Sequence, residues 1–194
     1  VVFVHNGGAG GGVQGGPGHY LRNDGLDRFV DATASFGTSL GTWRRYFSIL
    51  LADFNGDSLP DLHAAVDFYS DWHCWNVGGG MFLDVTQQVG ATNTGSDMGL
   101  GIGDIENDGD LDIYSTNIGR AILYVNDGQG YFTEEGGPRG CGGWGAYSAT
   151  GWGAAFADFD HDSSVIYSLH ICNRGPGLAR LCQRGQTLRS PHES

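Results

Sequence analysis

The chain has 194 residues, of which 40% are hydrophobic and 12% aromatic, so it has enough apolar content for a folded core. Its formal net charge of −12 argues against nucleic acid and anionic membranes as partners, because both are negatively charged. Glycine accounts for 35 residues, and no apolar run reaches the length of a membrane span. We therefore expect tight turns and short strands, and no long helices.

The N-terminal part reads as an incomplete first repeat, residues 1–36. The chain opens on VVFVHN, which is typical of a strand, so we expect the N-terminus to be processed or truncated. The glycine-rich stretch 6–19 follows, and no helix pattern comes after it. We interpret this stretch as a loop between strands.

Two markers then recur with a period of about 50 residues, which is typical of propellers and solenoids. The first is an acidic loop after an apolar strand, and its leading aspartates are 51 and 54 residues apart: Asp53, Asp104 and Asp158. The second is an Asn–Gly–aromatic–acid pattern, whose asparagines are 53 and 50 residues apart: Asn23, Asn76 and Asn126. Because both markers have the same period, the repeat is real.

Each repeat is predicted to consist of strands only. Short alternating runs such as LDIYSTN and AILYVN are separated by Asn/Asp–Gly turns, the usual signal of hairpins. Four short strands per unit is the size of a propeller blade. We predict an all-β fold of three to four four-stranded antiparallel blades, in a partial or assembled propeller. The expected divisions are 1–36, 37–90, 91–140 and a partial blade at 141–170, followed by an irregular basic tail at 171–194.

The acidic loops 53–61 and 104–112 carry side-chain oxygens at positions 1, 3, 5 and 9. These residues are Asp53, Asn55, Asp57 and Asp61, then Asp104, Glu106, Asp108 and Asp112. With a carbonyl at position 7, from Leu59 or Asp110, the set suits a hard cation with six to eight oxygen ligands. The loops therefore predict Ca²⁺ in preference to Mg²⁺, which usually keeps several waters. The alternative is an acidic turn whose aspartates cap backbone amides.

The same loops are not EF-hands, because position 12 is Ala64 or Ser115 and the flanking segments are strands. A third loop, 158–166, is degenerate. It keeps Asp158, Asp160 and Asp162 at positions 1, 3 and 5, but position 9 is Ile166. We expect calcium to bind there weakly or not at all.

These motifs resemble FG-GAP/VCBS-type repeats, the calcium-loop blades of integrin-α-like β-propellers. The resemblance rests on ADFNGDSLPDL, GDIENDGDLDIY and GWGAAFADFDHD, and covers residues 1–162. The turn NDGQGYF is similar to an element of the subgroup that includes acidic cartilage-type secreted proteins. The departures are Ser58 where glycine is usual, Glu106 where Asp or Asn is usual, and the broken third loop.

The resemblance implies a Ca²⁺-stabilised, extracellular propeller, secreted or on the cell surface, that serves adhesion, ligand binding or scaffolding. It also implies that the oxygen-bearing residues of the two full loops are the ligands. Propellers of this family close with about six or seven blades, more than this chain holds. We therefore expect it to be part of a longer propeller, or to assemble with copies of itself or with an extracellular partner, into a filament for example.

Two other function classes were weighed. In DWHCW, Asp71, His73 and Cys74 lie together, but no catalytic motif supplies partners for them, so we predict that the protein is not an enzyme. The stronger alternative is a calcium-dependent, lectin-like module that binds a glycan by stacking on Trp72 and Trp75.

Four cysteines are the remaining candidates for chemistry: Cys74, Cys141, Cys172 and Cys182. No CxxC pair is present, which argues against a zinc ribbon or a thioredoxin-like motif. An even count suits one or two disulfides in an oxidising compartment. Buried free thiols are the alternative.

Overall fold

The computed structural model describes residues 2–4, 18–37, 44–142, 150–157, 167–172, 179–183 and 186–188. The first sheet contains β1 (Val2–Val4), β2 (His19–Asn23) and β3 (Phe29–Asp31), followed by a 3-10 turn at Thr33–Ser35. The second contains β4 (Arg45–Ala52), β5 (Asp61–Asp67), β6 (Trp72–Asn76) and β7 (Phe82–Asp84). The third contains β8 (Asp97–Gly103), β9 (Asp112–Asn117), β10 (Ile122–Asn126) and β11 (Phe132–Glu134). The fourth contains β12 (Gly151–Ala157), β13 (Tyr167–Cys172), β14 (Ala179–Gln183) and β15 (Gln186–Leu188).

Every sheet is an antiparallel meander, in which each strand pairs with the next along the chain. Three sheets have four strands, and the first has three among the described residues. The prediction of an all-β fold built from four-stranded, propeller-type blades is confirmed. Strands β4–β7 lie within the predicted range 37–90, and β8–β11 within 91–140.

The strands of the C-terminal part do not follow the boundaries expected from the sequence. Strand β13 crosses the expected boundary at residue 170, and β14 and β15 lie in the segment expected to be an irregular tail. Leu181 of β14 pairs in register with Leu169 on one side and Leu188 on the other. These strands are only three to six residues long and are interrupted by Arg and Gly, so their alternation is too short to recognise. The glycine-rich stretch lies, up to residue 17, outside the described residues.

The long first strands of the second, third and fourth sheets (β4, β8 and β12) are packed side by side. Strand β8 has glycine at alternate positions, and two of them meet β12 closely. A Cβ at Gly99 would lie 2.3 Å from the carbonyl oxygen of Trp152, and one at Gly103 would lie 2.8 Å from the Cβ of Phe156. Glycine in β8 therefore permits the close approach of the two inner strands.

The core lies between neighbouring sheets. Strand β5 is buried on both faces, because its alternate residues belong to different clusters. Leu62 and Val66 pack in the cluster that joins the first and second sheets, whereas Ala65 packs in the cluster that joins the second and third. A third cluster joins β9 and β10 to the partly buried Phe156 of β12. Among the described residues, no helix is long and apolar enough to span a membrane.

Candidate metal-binding loops

The two acidic loops occupy equivalent places in consecutive blades. Loop 53–61 joins β4 to β5, and loop 104–112 joins β8 to β9. Both require positive φ at their fourth and sixth positions, and each uses one glycine and one polar residue to meet that requirement. The residues and φ angles are Gly56 (78°) and Ser58 (68°), then Asn107 (56°) and Gly109 (97°).

The ninth-position aspartates are buried and anchor each loop to its own blade. The carboxylate of Asp61 accepts hydrogen bonds from the N–H of Phe54 (3.1 Å) and of Asn76 (2.8 Å). Asp112 makes the same pair of contacts one repeat later. Burial raises the pKa of both carboxyl groups to about 6. This position therefore serves the fold directly.

The asparagines of the second repeat marker connect each loop to the hairpin turn of its blade. The side-chain amide of Asn76 donates to the carbonyl of Pro60 (3.1 Å), and that of Asn126 donates to the carbonyl of Leu111 (3.2 Å). Asn126 also donates to the carbonyl of Phe54 (2.8 Å), which joins the third blade to loop 53–61. Sequence reasoning used these asparagines as a marker and assigned them no role. Their common period with the loops was the signal that could have revealed it.

The first-position aspartates organise the exposed half of each loop. Asp53 accepts hydrogen bonds from the N–H groups of Gly56 (2.8 Å), Asp57 (3.1 Å) and Ser58 (2.8 Å). Asp104 accepts two backbone N–H groups in the same way. These bonds curl the chain around the aspartate, as in an Asx turn.

Positions 3 and 5 also receive backbone amides. Asn55 accepts from the N–H of Asp57 (3.1 Å), and Asp57 accepts from the N–H of Leu59 (2.8 Å). In the second loop Asp108 accepts from the N–H of Asp110, at 3.4 Å. The amide-capping role that was the sequence-based alternative is therefore present in the structure.

Asp110 differs from its neighbours. Its Oδ1 is closed off from solvent and has no hydrogen-bond partner among the described residues. Partial burial, the hydrogen bond with Asp108 and the nearby charges of Asp112 and Asp104 raise the pKa of Asp110 to about 7. An oxygen that lacks a partner amid mutually repelling carboxylates fits a bound cation.

Glu106, at position 3 of the second loop, is instead paired with an arginine. The Nη2 of Arg139 donates to its Oε1 at 2.5 Å, and the Nε of the same guanidinium donates to Glu135 at 2.5 Å. Loop 104–112 therefore contacts a cation of the protein itself.

In the described residues, no group of three or more His, Cys, Asp or Glu side chains is arranged to hold a metal ion. The donor chemistry nevertheless fits calcium, because all the candidate ligands are oxygens and several carboxylates lie close together. Calcium binding stays a prediction. The degenerate third loop, with Asp158, Asp160 and Asp162, lies outside the described residues.

Two residues of DWHCW belong to a buried acid–histidine cluster, which we define as His63, Asp71, His73, Asp97 and Tyr124. All five are at most 1% exposed. The Nδ1 atoms of His63 and His73 are 3.2 Å apart, and the hydroxyl of Tyr124 donates to Asp71 at 3.3 Å. Because the two histidines belong to the second sheet, and Asp97 and Tyr124 to the third, the cluster joins two blades.

Hydrogen bonds satisfy the two acids of this cluster. Asp71 lies near the charge of Asp97 and accepts the N–H of Val66 at 3.2 Å. Asp97 accepts the side-chain amides of Asn93 (2.6 Å) and Asn117 (2.7 Å). Burial raises the pKa of both carboxyl groups, most strongly that of Asp71, and lowers the pKa of His73 to about 3.

Cys74 does not complete a site with Asp71 and His73. It packs with Leu62 and Trp72 in the cluster between the first and second sheets, whereas the ring of His73 contacts aromatic rings of the next cluster. Burial also raises the pKa of the Cys74 thiol strongly, which makes it a poor nucleophile.

The suggested disulfide at Cys74 is corrected, because the structure has a free thiol inside the core there. Cys141 is buried in the cluster next to β9 and β10. The side chains of Cys172 and Cys182 lie outside the described part of the chain, so a disulfide that involves either of them stays a prediction.

Of the two tryptophans proposed for carbohydrate stacking, Trp72 is buried in the core. It is 3% exposed, packs against Phe36 and Tyr46, and donates its Nε1–H to Asp84 at 2.9 Å. Trp75 is half-buried and meets the exposed ring of Tyr131 edge-on, with the centroids 5.9 Å apart. Trp75 is therefore the tryptophan of this pair that a ligand can reach.

Comparison with known proteins gives the family. A family model described as FG-GAP-like repeat matches residues 53–115 and again residues 104–164, which together make up more than half of the chain. The chain belongs to the FG-GAP-like repeat family. Both matches begin on the leading aspartate of a loop, Asp53 and Asp104. No curated protein matches the chain.

FG-GAP repeats are commonly extracellular, and they are typically structural or binding modules without enzymatic activity. Each match begins after the first strand of a blade and extends into the next blade. The resemblance stated from the sequence is confirmed.

Proposed function

We propose that this FG-GAP repeat protein is an extracellular calcium-binding module with a structural or adhesive role. The observation that carries the proposal is the repetition of one loop architecture in consecutive blades. In both loops the ninth-position aspartate is anchored by the same two backbone amides, while positions 1, 3 and 5 remain close to solvent. Each loop thus has a fixed buried end and an exposed acidic end.

Residues of both loops supply the oxygen donors. In loop 53–61 these are Asp53, Asn55, Asp57 and Asp61 with the carbonyl of Leu59, and in loop 104–112 they are Asp104, Glu106, Asp108 and Asp112 with Asp110. Bound calcium would supply the positive charge that the crowded carboxylates lack. Because the loops join the first two strands of each blade, binding energy there becomes blade stability.

The partner is proposed to be a copy of the chain, the remainder of a longer propeller, or another extracellular protein. Several large apolar side chains are exposed, among them Phe68, Tyr69 and Trp152, each at least half accessible to solvent. Exposed aromatic side chains favour contact with another protein surface.

The experiment is calorimetric calcium titration of the whole chain, with light scattering and melting temperature recorded in calcium and in EGTA. We expect two sites, and a fall in melting temperature or in assembly when calcium is removed. The variants Asp57→Asn and Asp108→Asn keep an oxygen for the backbone amide but lose one charge each. Each should weaken its own site by about tenfold or more.

Asp127→Asn is the matched control, because Asp127 is an exposed aspartate that caps amides of a turn outside the loops. It should leave both sites unchanged. If the wild type gives no heat and chelation changes nothing, the calcium proposal is wrong.

The lectin-like alternative now depends on Trp75 alone. Its Nε1 is closed off from solvent and lacks a hydrogen-bond partner among the described residues, and Tyr131 beside it is exposed. Quenching of tryptophan fluorescence by a glycan, abolished by Trp75→Phe, would favour this alternative. Calcium-dependent association without a glycan would favour the structural role.

A further inference from the structure

Arg139 lies in the turn that follows β11 and binds loop 104–112 directly. Its guanidinium makes two short charge-assisted contacts, one with Glu106 of the loop and one with Glu135 of its own turn. Arg139 is 25% and Glu106 29% exposed, so the pair is partly shielded from water. A shielded pair of this kind is stronger than a freely solvated surface ion pair.

The second blade has a different residue at the equivalent place. The N–H of Arg139 donates to the carbonyl of Glu135 (2.9 Å), and the N–H of Val89 donates to the carbonyl of Val85 (3.0 Å), which marks the same turn in both blades. Val89 is 1% exposed and packs in the core cluster that contains Phe54. No cation therefore reaches loop 53–61 from this turn.

The two loops also differ in the residue at position 3. Position 3 of loop 53–61 is the neutral Asn55, whose amide contacts only its own loop. Position 3 of loop 104–112 is the charged Glu106, which is held by Arg139. The second loop thus has two more acidic ligand candidates, Glu106 and Asp110, and a cation that already pairs with Glu106.

We infer that Arg139 is a built-in competitor of calcium at loop 104–112. This inference rests on the proposed calcium function. Glu106 can coordinate calcium only when it leaves the guanidinium. A positive group within hydrogen-bonding distance of a ligand oxygen also repels a divalent cation. Both effects lower the calcium affinity of the second loop and leave the first loop unchanged.

The test is calcium calorimetry on the full chain in an Asp57→Asn background, in which the weakened loop 53–61 and loop 104–112 are separated by a two-site fit. Arg139→Gln should raise the affinity of loop 104–112 about threefold to tenfold. In the otherwise unchanged chain, the affinity of loop 53–61 should stay the same. Arg120→Gln is the matched control, since Arg120 pairs with Glu134 and its removal changes the net charge by the same amount.

Glu106→Asn tests whether Arg139 lowers the calcium affinity of loop 104–112 through its contact with Glu106. When it is combined with Arg139→Gln, the gain from the arginine change should shrink to the part that comes from charge repulsion, because Glu106 is no longer there to be released. Melting temperature in EGTA checks that each variant is folded. If Arg139→Gln does not fold, Arg139→Lys keeps the charge with fewer hydrogen bonds and should give a smaller gain.

Three results would overturn the inference. An unchanged or lower affinity in Arg139→Gln would show that the arginine does not compete. An equal gain in Arg120→Gln would reduce the effect to long-range charge. Absence of calcium heat in the wild type and in every variant would instead refute the proposed calcium function, and the inference with it.

Discussion

The acidic loops and the buried acid–histidine cluster both bring carboxylates close together, but they relieve the repulsion in different ways. In the loops, Asp53 and Asp104 are near solvent and accept backbone amides, so their charges remain available to a cation. In the cluster, Asp71 and Asp97 are fully buried, and burial together with the nearby charge of Asp97 raises the pKa of Asp71 well above its usual value. A proton on Asp71 relieves the repulsion there without a cation.

The difference shows that burial decides what an aspartate does in this protein. A buried carboxylate without compensation is very costly, so the cluster needs a proton and a complete set of hydrogen bonds. The exposed loop positions tolerate their charge because water and backbone amides solvate it. The ninth-position Asp61 lies between the two cases, since it belongs to a loop but is buried.

The largest expected effect is at Asp71. Asp71→Ala should lower the free energy of unfolding by about 3 kcal/mol, because Val66 N–H and the Tyr124 hydroxyl both lose a buried partner. Asp71→Asn should cost much less, about 1 kcal/mol, because an amide resembles a protonated carboxyl in shape. Urea denaturation in EGTA measures both.

Asp57→Asn, in the exposed part of a loop, is the control for the two Asp71 variants. In EGTA it should change the free energy of unfolding less than Asp71→Ala does. If Asp71→Asn is as harmful as Asp71→Ala, the carboxyl is ionised in the folded state. The contrast between cluster and loops would then be wrong.

The next effect is the dependence of stability on pH. The pKa of His73 is lowered to about 3 and that of His63 is also well below its usual value, because both rings are buried. Between about pH 6.5 and pH 3 the unfolded chain therefore binds protons that the folded chain does not. The stability from these histidines is complete above pH 6.5 and is lost as the pH falls through this window.

Carboxyl groups with raised pKa values change the free energy of unfolding with pH in the opposite direction. Asp71 and Asp61 gain protons on folding, so their contribution is present at low pH and is lost as the pH rises above about 4. The wild-type curve is a sum of both effects, and His73→Gln separates them. In His73→Gln, the slope of the free energy of unfolding against pH between about pH 3 and pH 6.5 should decrease by up to about 1.4 kcal/mol per pH unit. Parallel curves for variant and wild type would contradict a neutral, buried His73.

Features set by neighbouring residues could be predicted from the sequence. Alternating runs indicate strands and Asx–Gly turns indicate hairpins, and each of these signals lies within about ten residues of sequence. The spacing of the acidic residues in a loop is equally local. Loop 53–61, loop 104–112 and the blade period were therefore recognisable. The strands β14 and β15 were missed because each is too short to show a period.

Features set by distant residues could not be predicted in this way. Tyr124 and Asp71 are 53 residues apart, and Arg139 and Glu106 are 33 apart. The first contact depends on how neighbouring blades stack and the second on how the turn after β11 folds back onto its own blade, and no local spacing encodes either. Trp72 was misassigned for the same reason. The sequence pattern of a tryptophan in a short strand is the same whether another blade covers its face or solvent does.

The smallest expected effect lies in the exposed loops and is a backbone effect. Ser58 has a φ of 68°, where the equivalent residue of the second loop is Gly109. Ser58→Gly should stabilise the protein by about 0.5 kcal/mol, since it removes left-handed strain of about 1 kcal/mol and adds some unfolded-state entropy. The hydrogen bond from its N–H to Asp53 is kept.

Gly109→Ser is the reciprocal control and should destabilise by a similar amount. A Cβ at Gly109 would meet no atom within 4 Å, so the change reports on φ and not on a clash. Melting in EGTA measures both variants in the absence of metal. Opposite shifts of similar size would show that these loops respond to backbone conformation much as an ordinary solvated turn does. Shifts as large as that of Asp71→Ala would mean that the loops are as tightly constrained as the buried cluster, and the contrast between the two regions would fail.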